Sequence, residues 1–396
     1  MRVAFFSDAY RPRVSGLVSS LDEFSQGLRE RGHEVLIVCP SYPPERMRGI
    51  VDPPHVLRVP SGTAIVSKED RLAQPWKLKG AIKAIRAFDP EIVHVQTEFS
   101  IGSLGRLYCR NHGLPIVSTC HTHYESYMAS YVPFLPGEIG RTAARVWLRS
   151  IYSRDDFVAV PSLKIADLLR SYGVDKDFAV LPTGVDERVF KPEPEAARAL
   201  RAELARKHPR LASGPLAVYA GRVGHEKNIR ILVDAMRIVS REIPEASLLV
   251  VGEGPARAEL RNEAHRRGIG DKVFATGYVD RSILPAYYSM ADIFVFPSVT
   301  ETQGLVTIEA MLCGTPVVGV AEMGTGDIME DDKGGLLASN DAASFADKMI
   351  RLLKDPELRA RKSAEARLHA VHWSLGNSVS KLEALYERAL ASRRAR

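Results

Sequence analysis

The sequence predicts an α/β protein of two parallel-sheet domains, and three observations lead there. At 396 residues the chain exceeds what one hydrophobic core usually serves. Short strand-like apolar runs alternate with stretches whose apolar residues recur at helical spacing, the pattern of βαβ units. The alternation stops near the polar stretch "LPTGVDERVFKPEPEAARAL" and then begins again.

Taken in order, Val3 to Phe6 is the first strand. The loop "SDAYRPRVSG" follows, and Leu17, Leu21, Phe24 and Leu28 then mark one helix face. Gly32 ends that helix before a strand at Val35 to Cys39, and "IVHVQ" (92–96) and "PIVSTC" (115–120) read as further strands. In the second half "LAVYAG" (216–221) is a strand, with Ile229, Leu232, Val233 and Met236 on the next helix face. "SLLVVGEG", "KVFATG", "DIFVFPS" and "TPVVGV" are strands separated by helical segments. The expected domains are 1–190 and 213–375, joined through 186–212, with an amphipathic helix at 376–396 packing back on the first. Ligands of such sheets bind beyond the carboxyl ends of the strands.

Composition excludes several classes. With 45% apolar and 26% charged residues, the chain has the make-up of an ordinary soluble protein. No apolar run approaches the roughly 20 residues a membrane helix needs. "MRVAFFSDAY" reads as a strand and not as a secretion signal. Cys39, Cys109, Cys120 and Cys313 lack metal-ligand spacing and read as reduced core thiols, so a cytoplasmic protein is expected. The net charge is +6, and the stretch from Arg71 to Arg154 alone carries 11 Lys/Arg against 5 Asp/Glu. No RNA-binding or zinc-finger pattern accompanies it, which sets nucleic acid aside. An anionic membrane surface or a phosphorylated substrate suits that surplus.

Two stretches of the second half carry chemistry. In "YAGRVGHEKN" the strand ends at Gly221, so Arg222 and Lys227 project from the loop above the sheet edge. A planar fork and a point charge five residues apart can converge on a diphosphate, or can simply be solvated loop cations. In "TETQGLVTIEAMLCG", Gly304 precedes the helical run, leaving Leu305 and its neighbours with unpaired N–H groups that accept a phosphate. Glu309, one turn in, can accept from two vicinal hydroxyls, and Glu301, before the helix, can do so for a second ring. Singly, these acids read as a helix residue reaching solvent and an exposed loop charge. With Arg222 and Lys227 they describe a site for phosphates between two polyhydroxyl rings, a nucleotide sugar.

In the first half, "STCHTHYESYMASYVPFLPG" ends a strand with His121, His123, Tyr124 and Glu125. No third ligand stands at metal-site spacing, so no metal is expected and His121 reads as a substrate contact. Tyr124, Tyr127, Tyr131 and Phe134 either line an acceptor pocket or pack under the loop. Gly16 sits at the first helix N-terminus as the counterpart of the phosphate site. Arg141, Arg145 and Arg149 with Val146, Trp147 and Ile151, and Lys77, Lys79, Lys83 and Arg86 with Trp76, Ile82, Ile85 and Phe88, make two basic amphipathic faces. Each suits an interfacial helix on anionic headgroups, or buries its apolar side in the domain core.

Assembled, these residues resemble the retaining glycosyltransferases of the GT-B fold, family 4 type, which have two Rossmann-like domains with a cleft between them. The likeness covers nearly the whole chain and is most specific in Glu301 and Glu309 around Gly304-Leu305, then in Gly221, Arg222 and Lys227. "VVGEGP", "VFATGYV" and "CGTPVV" sit where that family has them. The resemblance implies that Arg222, Lys227 and the Gly16 backbone hold the donor diphosphate. It gives Glu309 the ribose, Glu301 the transferred sugar, and the Gly304-Leu305 amides the sugar and phosphate. His121 would lie near the anomeric carbon, and backbone around Tyr278 would meet the base. Transfer with retention follows, without metal or cofactor, the nucleotide sugar being a substrate.

"FSDAYRPRVSGLVSSL" and "HTHYESY" are similar to bacterial diacylglycerol glucosyltransferases and to mannosyltransferases acting on lipid anchors. That likeness implies a UDP-glucose-like donor, a lipid acceptor such as diacylglycerol or another glycolipid precursor, and a peripheral place at the inner membrane face. A GDP-mannose-dependent enzyme is the alternative, and a nucleotide-sugar 2-epimerase the rival of a different class. Gln96 stands where a second histidine is common, Thr183 where Asn is common, and "MGTGDIMEDDKGG" departs from the usual Gly-Gly-x-x-Glu loop.

Overall fold

A computed structural model describes residues 1–13, 15–64, 70–121 and 137–394. The chain divides into two compact units, one of Met1–Gly184 with Leu375–Arg396 and one of Val185–Ser374.

The first unit runs β1 (Arg2–Phe6), α1 (Gly16–Glu30), β2 (Glu34–Pro40), β3 (Val56–Val59), a small β4 (Ser61–Thr63) and β5 (Arg71–Ala73) ladder, and α2 (Lys79–Phe88). It continues β6 (Ile92–Val95), α3 (Ser100–His112), β7 (Ile116–Thr119), α4 (Gly137–Tyr152), β8 (Phe157–Val160), α5 (Leu163–Ser171) and β9 (Phe178–Val180). Its seven-stranded sheet is parallel in the order β3-β2-β1-β6-β7-β8-β9. Strands such as β1 and β6 are apolar without alternation because both faces of the sheet are covered. Ser15 caps α1, its hydroxyl accepting from the Val18 N–H. On the other face α3 lies close to β1, since a Cβ at Gly105 would come 2.8 Å from the Phe6 ring. Asp8, beyond β1, holds the start of α3, accepting from Thr97 Oγ1, Ser100 Oγ and the Ile101 N–H at 2.6–2.7 Å.

The second unit contains α6 (Pro194–Lys207), β10 (Leu216–Ala220), α7 (Arg230–Glu242), β11 (Ser247–Val251), α8 (Arg257–Arg266), β12 (Val273–Gly277) and α9 (Leu284–Ser289). It closes with β13 (Ile293–Phe296), α10 (Leu305–Leu312), β14 (Val317–Val320), α11 (Met323–Ile328), β15 (Gly335–Ala338), α12 (Ala342–Lys354) and α13 (Pro356–Ala370). Its six strands are parallel in the order β12-β11-β10-β13-β14-β15. Strand order turns back between β10 and β13, so the loops leaving their carboxyl ends flank the switch point where ligands of open α/β sheets bind.

The unit boundary differs from the expected 190. Val185 bridges Ser374, its N–H donating to the Trp373 carbonyl at 2.9 Å, and Phe190 is buried in the second core. The stretch read as a joining segment carries α6, started by Pro194 and packed through Ala197. The last helix, α14 (Leu375–Arg394), belongs to the first unit's core through Val379, Leu382, Leu385, Tyr386 and Ala389. A Cβ at Gly27 would lie 2.4 Å from Val379, so α1 and α14 pack in direct contact there. All four cysteines are buried, and burial pushes the Cys39 and Cys109 thiols up to about 12. Among the described residues no helix is long and apolar enough to cross a membrane.

Candidate active site

In the second unit the loop after β10 is held by backbone. Gly221 has φ +146° and Gly252 φ +144°, and a Cβ on Gly252 would fall 1.9 Å from the Gly221 carbonyl oxygen. Only glycine allows the ends of β10 and β11 to approach this closely. The Val223 N–H donates to the Glu253 carbonyl at 2.9 Å, and the Tyr219 hydroxyl to the Arg222 carbonyl at 2.8 Å. Asn228, at φ 55°, closes the turn that carries Lys227, its amide reaching the Pro297 carbonyl at 3.2 Å and Asn340 Oδ1 at 2.8 Å. Thr300 Oγ1 donates to the Glu226 carbonyl at 3.2 Å, tying the loop after β13 to the loop after β10.

These ties bring the expected residues together. Lys227 Nζ donates to Glu301 Oε1, both side chains being largely covered. Arg222, half-exposed, lies 3.5 Å from Glu226 Oε1. Gly304, at φ 82°, opens α10, and a Cβ there would come 3.2 Å from Thr325 Oγ1. Both its backbone conformation and its confinement therefore call for glycine. The Gly324 N–H donates to the Glu301 carbonyl at 2.9 Å, and a Cβ on Gly324 would fall 2.4 Å from Gln303 Cα. The divergent "MGTGDIMEDD" segment thus forms α11 and the turn after it, and its start supports the Glu301 loop from behind.

Glu309 is only 4% exposed. A buried carboxylate needs partners, and it has two that sequence reasoning missed. Arg281 brings Nη2 to 3.0 Å and Nε to 3.3 Å of Oε1, while the Tyr288 hydroxyl donates to Oε2 at 2.9 Å. Burial, with the Glu309 charge beside it, pushes the Tyr288 phenol well above its usual range, so it stays a donor. The Arg281 guanidinium also lies over the Phe190 ring, 5.1 Å from its centroid. Arg281 precedes Glu309 by 28 residues with a helix and a strand between, a separation that no local spacing rule detects. Tyr278, at the end of β12, is exposed.

In the first unit, Gly16 is the first residue of α1, and a Cβ there would meet nothing within 4 Å. Packing does not demand glycine at that position. His121, just past β7, is hydrogen-bonded through Nε2 to Gln96 Oε1 at 2.6 Å, and burial lowers its pKa to about 4. The Gln96 that replaces a second histidine is therefore the partner of the first. His94 lies deeper, between the Tyr386 hydroxyl at 2.9 Å and Thr119 Oγ1 at 2.7 Å, and burial lowers it to about 3. Thr183, in place of the common Asn, donates to Ser20 Oγ at 2.8 Å. His123, Tyr124, Glu125, Tyr127, Tyr131 and Phe134 lie outside the described residues. Among the described residues no group of three His, Cys, Asp or Glu is placed to hold a metal ion.

The two basic faces differ. On α2, Ile85 is buried and Ile82 and Phe88 pack on the core, so that apolar face belongs to the domain interior and the interfacial expectation fails for it. Trp76, before α2, stays exposed. On α4, Ala144 and Leu148 face inward and Val146 is 64% exposed, whereas Arg145 and Arg149, also exposed, lie against Tyr172 and Gly173. Trp147 flanks Val146, its ring 5.4 Å from the ring of the exposed Phe99.

Acid and base pairs at the β10–β13 switch point suit a ligand that carries both charge and hydroxyls, and known proteins share the architecture. The description "Glycosyltransferase Family 4" matches residues 14–189, and "Glycosyl transferases group 1" matches residues 201–369. Alpha-monoglucosyldiacylglycerol synthase of Streptococcus pneumoniae is 31% identical over 338 residues, spanning 85% of this chain and 75% of that protein. A GDP-mannose-dependent alpha-(1-6)-phosphatidylinositol dimannoside mannosyltransferase of Mycobacterium tuberculosis is 26% identical, spanning 99% of this chain and 98% of that one. Sucrose-phosphate synthase of Thermosynechococcus elongatus superposes with a TM-score of 0.79 at 24% identity, covering 99% of both chains, a likeness of fold. The chain belongs to the group 1 and family 4 glycosyltransferases of the GT-B fold. The 2-epimerase reading is without support.

Proposed function

We propose that the protein transfers a hexose, with retention, from a nucleoside-diphosphate sugar to a membrane-lipid acceptor such as diacylglycerol, a UDP-glucose-like donor being favoured. One observation carries the reading: Lys227 is paired with Glu301 at the switch point of the second unit, beside the Gly304-headed helix α10. A donor diphosphate takes Arg222, Lys227 and the N–H groups at the start of α10, where a helix dipole favours negative charge. Lys227 then leaves Glu301, whose carboxylate accepts from the sugar hydroxyls. Glu309 receives the ribose, and the base lies along the Tyr278 backbone.

In the chemical step the bond from the anomeric carbon to the phosphate oxygen breaks, and the acceptor oxygen bonds to the same face. The acceptor proton passes to the departing phosphate oxygen. Arg222, Lys227 and the α10 N-terminus stabilise the developing diphosphate, the electrostatic task that a metal ion performs elsewhere. The first unit supplies Gly16 and His121. His121 is neutral at pH 7 because burial has lowered it to about 4, so it offers the sugar a hydrogen bond without a charge. The Tyr124–Glu125 stretch serves the acceptor.

The lipid acceptor is supported by the alpha-monoglucosyldiacylglycerol synthase and phosphatidylinositol dimannoside mannosyltransferase relatives and by the exposure of Val146, Arg145 and Arg149 on α4. The protein is then cytoplasmic and peripheral, resting on an anionic inner membrane face. The mycobacterial relative supports GDP-mannose as the second donor. Incubating the protein with UDP-glucose or GDP-mannose, diacylglycerol vesicles and EDTA tests the reading. An α-linked glycolipid formed with EDTA present is expected. A β-linked product, or none from either donor, overturns it.

A further inference from the structure

The acid that the proposed function gives to the ribose is already engaged at both oxygens. Arg281 places two N–H groups on Oε1 of Glu309, and Tyr288 places its hydroxyl on Oε2. A carboxylate offers about four acceptor positions, so three are occupied and the plane of the group is pinned from both ends. Tyr288 is fully buried and comes from α9, whereas the Arg281 side chain is 36% exposed at the turn between β12 and α9. Arg281 thus joins the loop carrying Tyr278 to the buried carboxylate on α10, with the Phe190 ring beneath its guanidinium.

We propose that Arg281 is a positioning residue for ribose recognition, acting through Glu309. This rests on the reading of Glu309 as the ribose acceptor and deepens it. A glutamate on a helix samples several rotamers, and a vicinal diol is read only if the carboxylate is held at one angle to it. The Arg281 fork fixes that angle by holding Oε1 with two N–H groups. The remaining acceptor position is the one that a ribose hydroxyl would take. The Arg281 guanidinium, lying over the Phe190 ring 5.1 Å from its centroid and bonded to Glu309, has little freedom to follow the ligand. Specificity for a ribonucleoside over a sugar lacking the 2′ and 3′ hydroxyls is therefore built from three residues on three elements, and only Glu309 belongs to the recognised motif.

The test compares the full-length wild type with R281M, R281K and E309Q by calorimetry. Whichever of UDP and GDP binds wild type more tightly is titrated beside its 2′,3′-dideoxy counterpart and inorganic pyrophosphate. Wild type is expected to favour the ribonucleotide by about tenfold, one charge-assisted contact. R281M should shrink that preference to below about threefold while leaving pyrophosphate affinity unchanged, and R281K should restore part of it. A merely structural role for Arg281 would lower pyrophosphate affinity as well, and that result overturns the proposal. An R281M protein with the full ribose preference also overturns it, while E309Q losing the preference leaves Glu309 as the ribose acid. If E309Q too keeps the preference, the assignment of Glu309 falls and the proposal with it.

Discussion

The strand ends of the two domains are built from opposite chemistry. In the second, acids and bases face each other in pairs: Lys227 with Glu301, Arg281 with Glu309, and Arg222 near Glu226. In the first, His121 is a neutral imidazole bonded to an amide, and Asp8, at the end of β1, is locked into the start of α3. A site of paired charges is self-compensated when empty, and a charged ligand enters it by exchanging partners. A neutral site exchanges nothing and contributes direction. The second domain should therefore govern affinity, with strong dependence on salt, and the first should govern rate.

The largest expected effect breaks the charged side. Lys227→Ala or Arg222→Ala should weaken nucleoside-diphosphate binding about ten- to a hundredfold, one charge-assisted contact of roughly 1.5–3 kcal/mol. Both residues lie on the loop after β10 and not in the core, so the thermal midpoint should hold. Calorimetry checks the first point and a melting curve the second. Wild-type affinity in both variants would remove the diphosphate from this loop.

On the neutral side, His121→Ala should leave donor affinity within about twofold and lower kcat and kcat/KM together by about tenfold, the worth of one hydrogen bond made in the transition state. Steady-state kinetics with the lipid acceptor decides it. A rise in donor KM alone would move His121 into ground-state binding and erase the contrast between the domains.

A third expectation concerns pH. Burial lowers His121 to about 4 and His94 to about 3, so the unfolded chain takes up protons near pH 6 that the folded chain refuses. Stability from these groups is complete above about 6.5, the usual histidine value, and falls as pH drops toward 4. His94→Gln should flatten part of that slope between pH 6.5 and 4 in denaturant titrations. An unchanged slope would mean that His94 does not contribute to the acid limit.

The smallest effect lies on α4. Each exposed arginine at an anionic surface is worth about 1 kcal/mol, so Arg145→Ser and Arg149→Ser should each weaken binding to anionic vesicles about fivefold. Co-sedimentation with neutral vesicles should be negligible. Equal binding to neutral and anionic vesicles would show that Val146 and Trp147, and not charge, make the contact.

Legibility in the sequence followed the same division. The parallel sheets were readable because covered strands such as "VAFF" and "FVF" leave no alternation, and the motif acids and bases because loop and helix start lie within one short stretch. Arg281 and Tyr288 were not, since they reach Glu309 only after β12, α9 and β13 have folded back on one another. Gln96 registered as a departure, and its pairing with His121 became visible only across neighbouring strands. The spacing of apolar residues on α2 and α4 is alike, and amphipathicity does not state whether core or lipid covers the apolar side. The structure separates the two by burying Ile85 and exposing Val146.

The central claim, that a donor diphosphate draws Lys227 away from Glu301, is tested most directly by nucleoside-diphosphate affinity in Glu301→Gln. Free UDP or GDP lacks the sugar that Glu301 serves, so the acid only competes with the phosphates for Lys227. The account predicts that the glutamine variant binds the tighter of these two nucleotides several-fold more strongly than wild type, by roughly the 0.5–1 kcal/mol of a partly covered ion pair, while losing transfer. Weaker or unchanged binding in Glu301→Gln, alongside a Lys227→Ala variant that does lose affinity, would contradict the exchange.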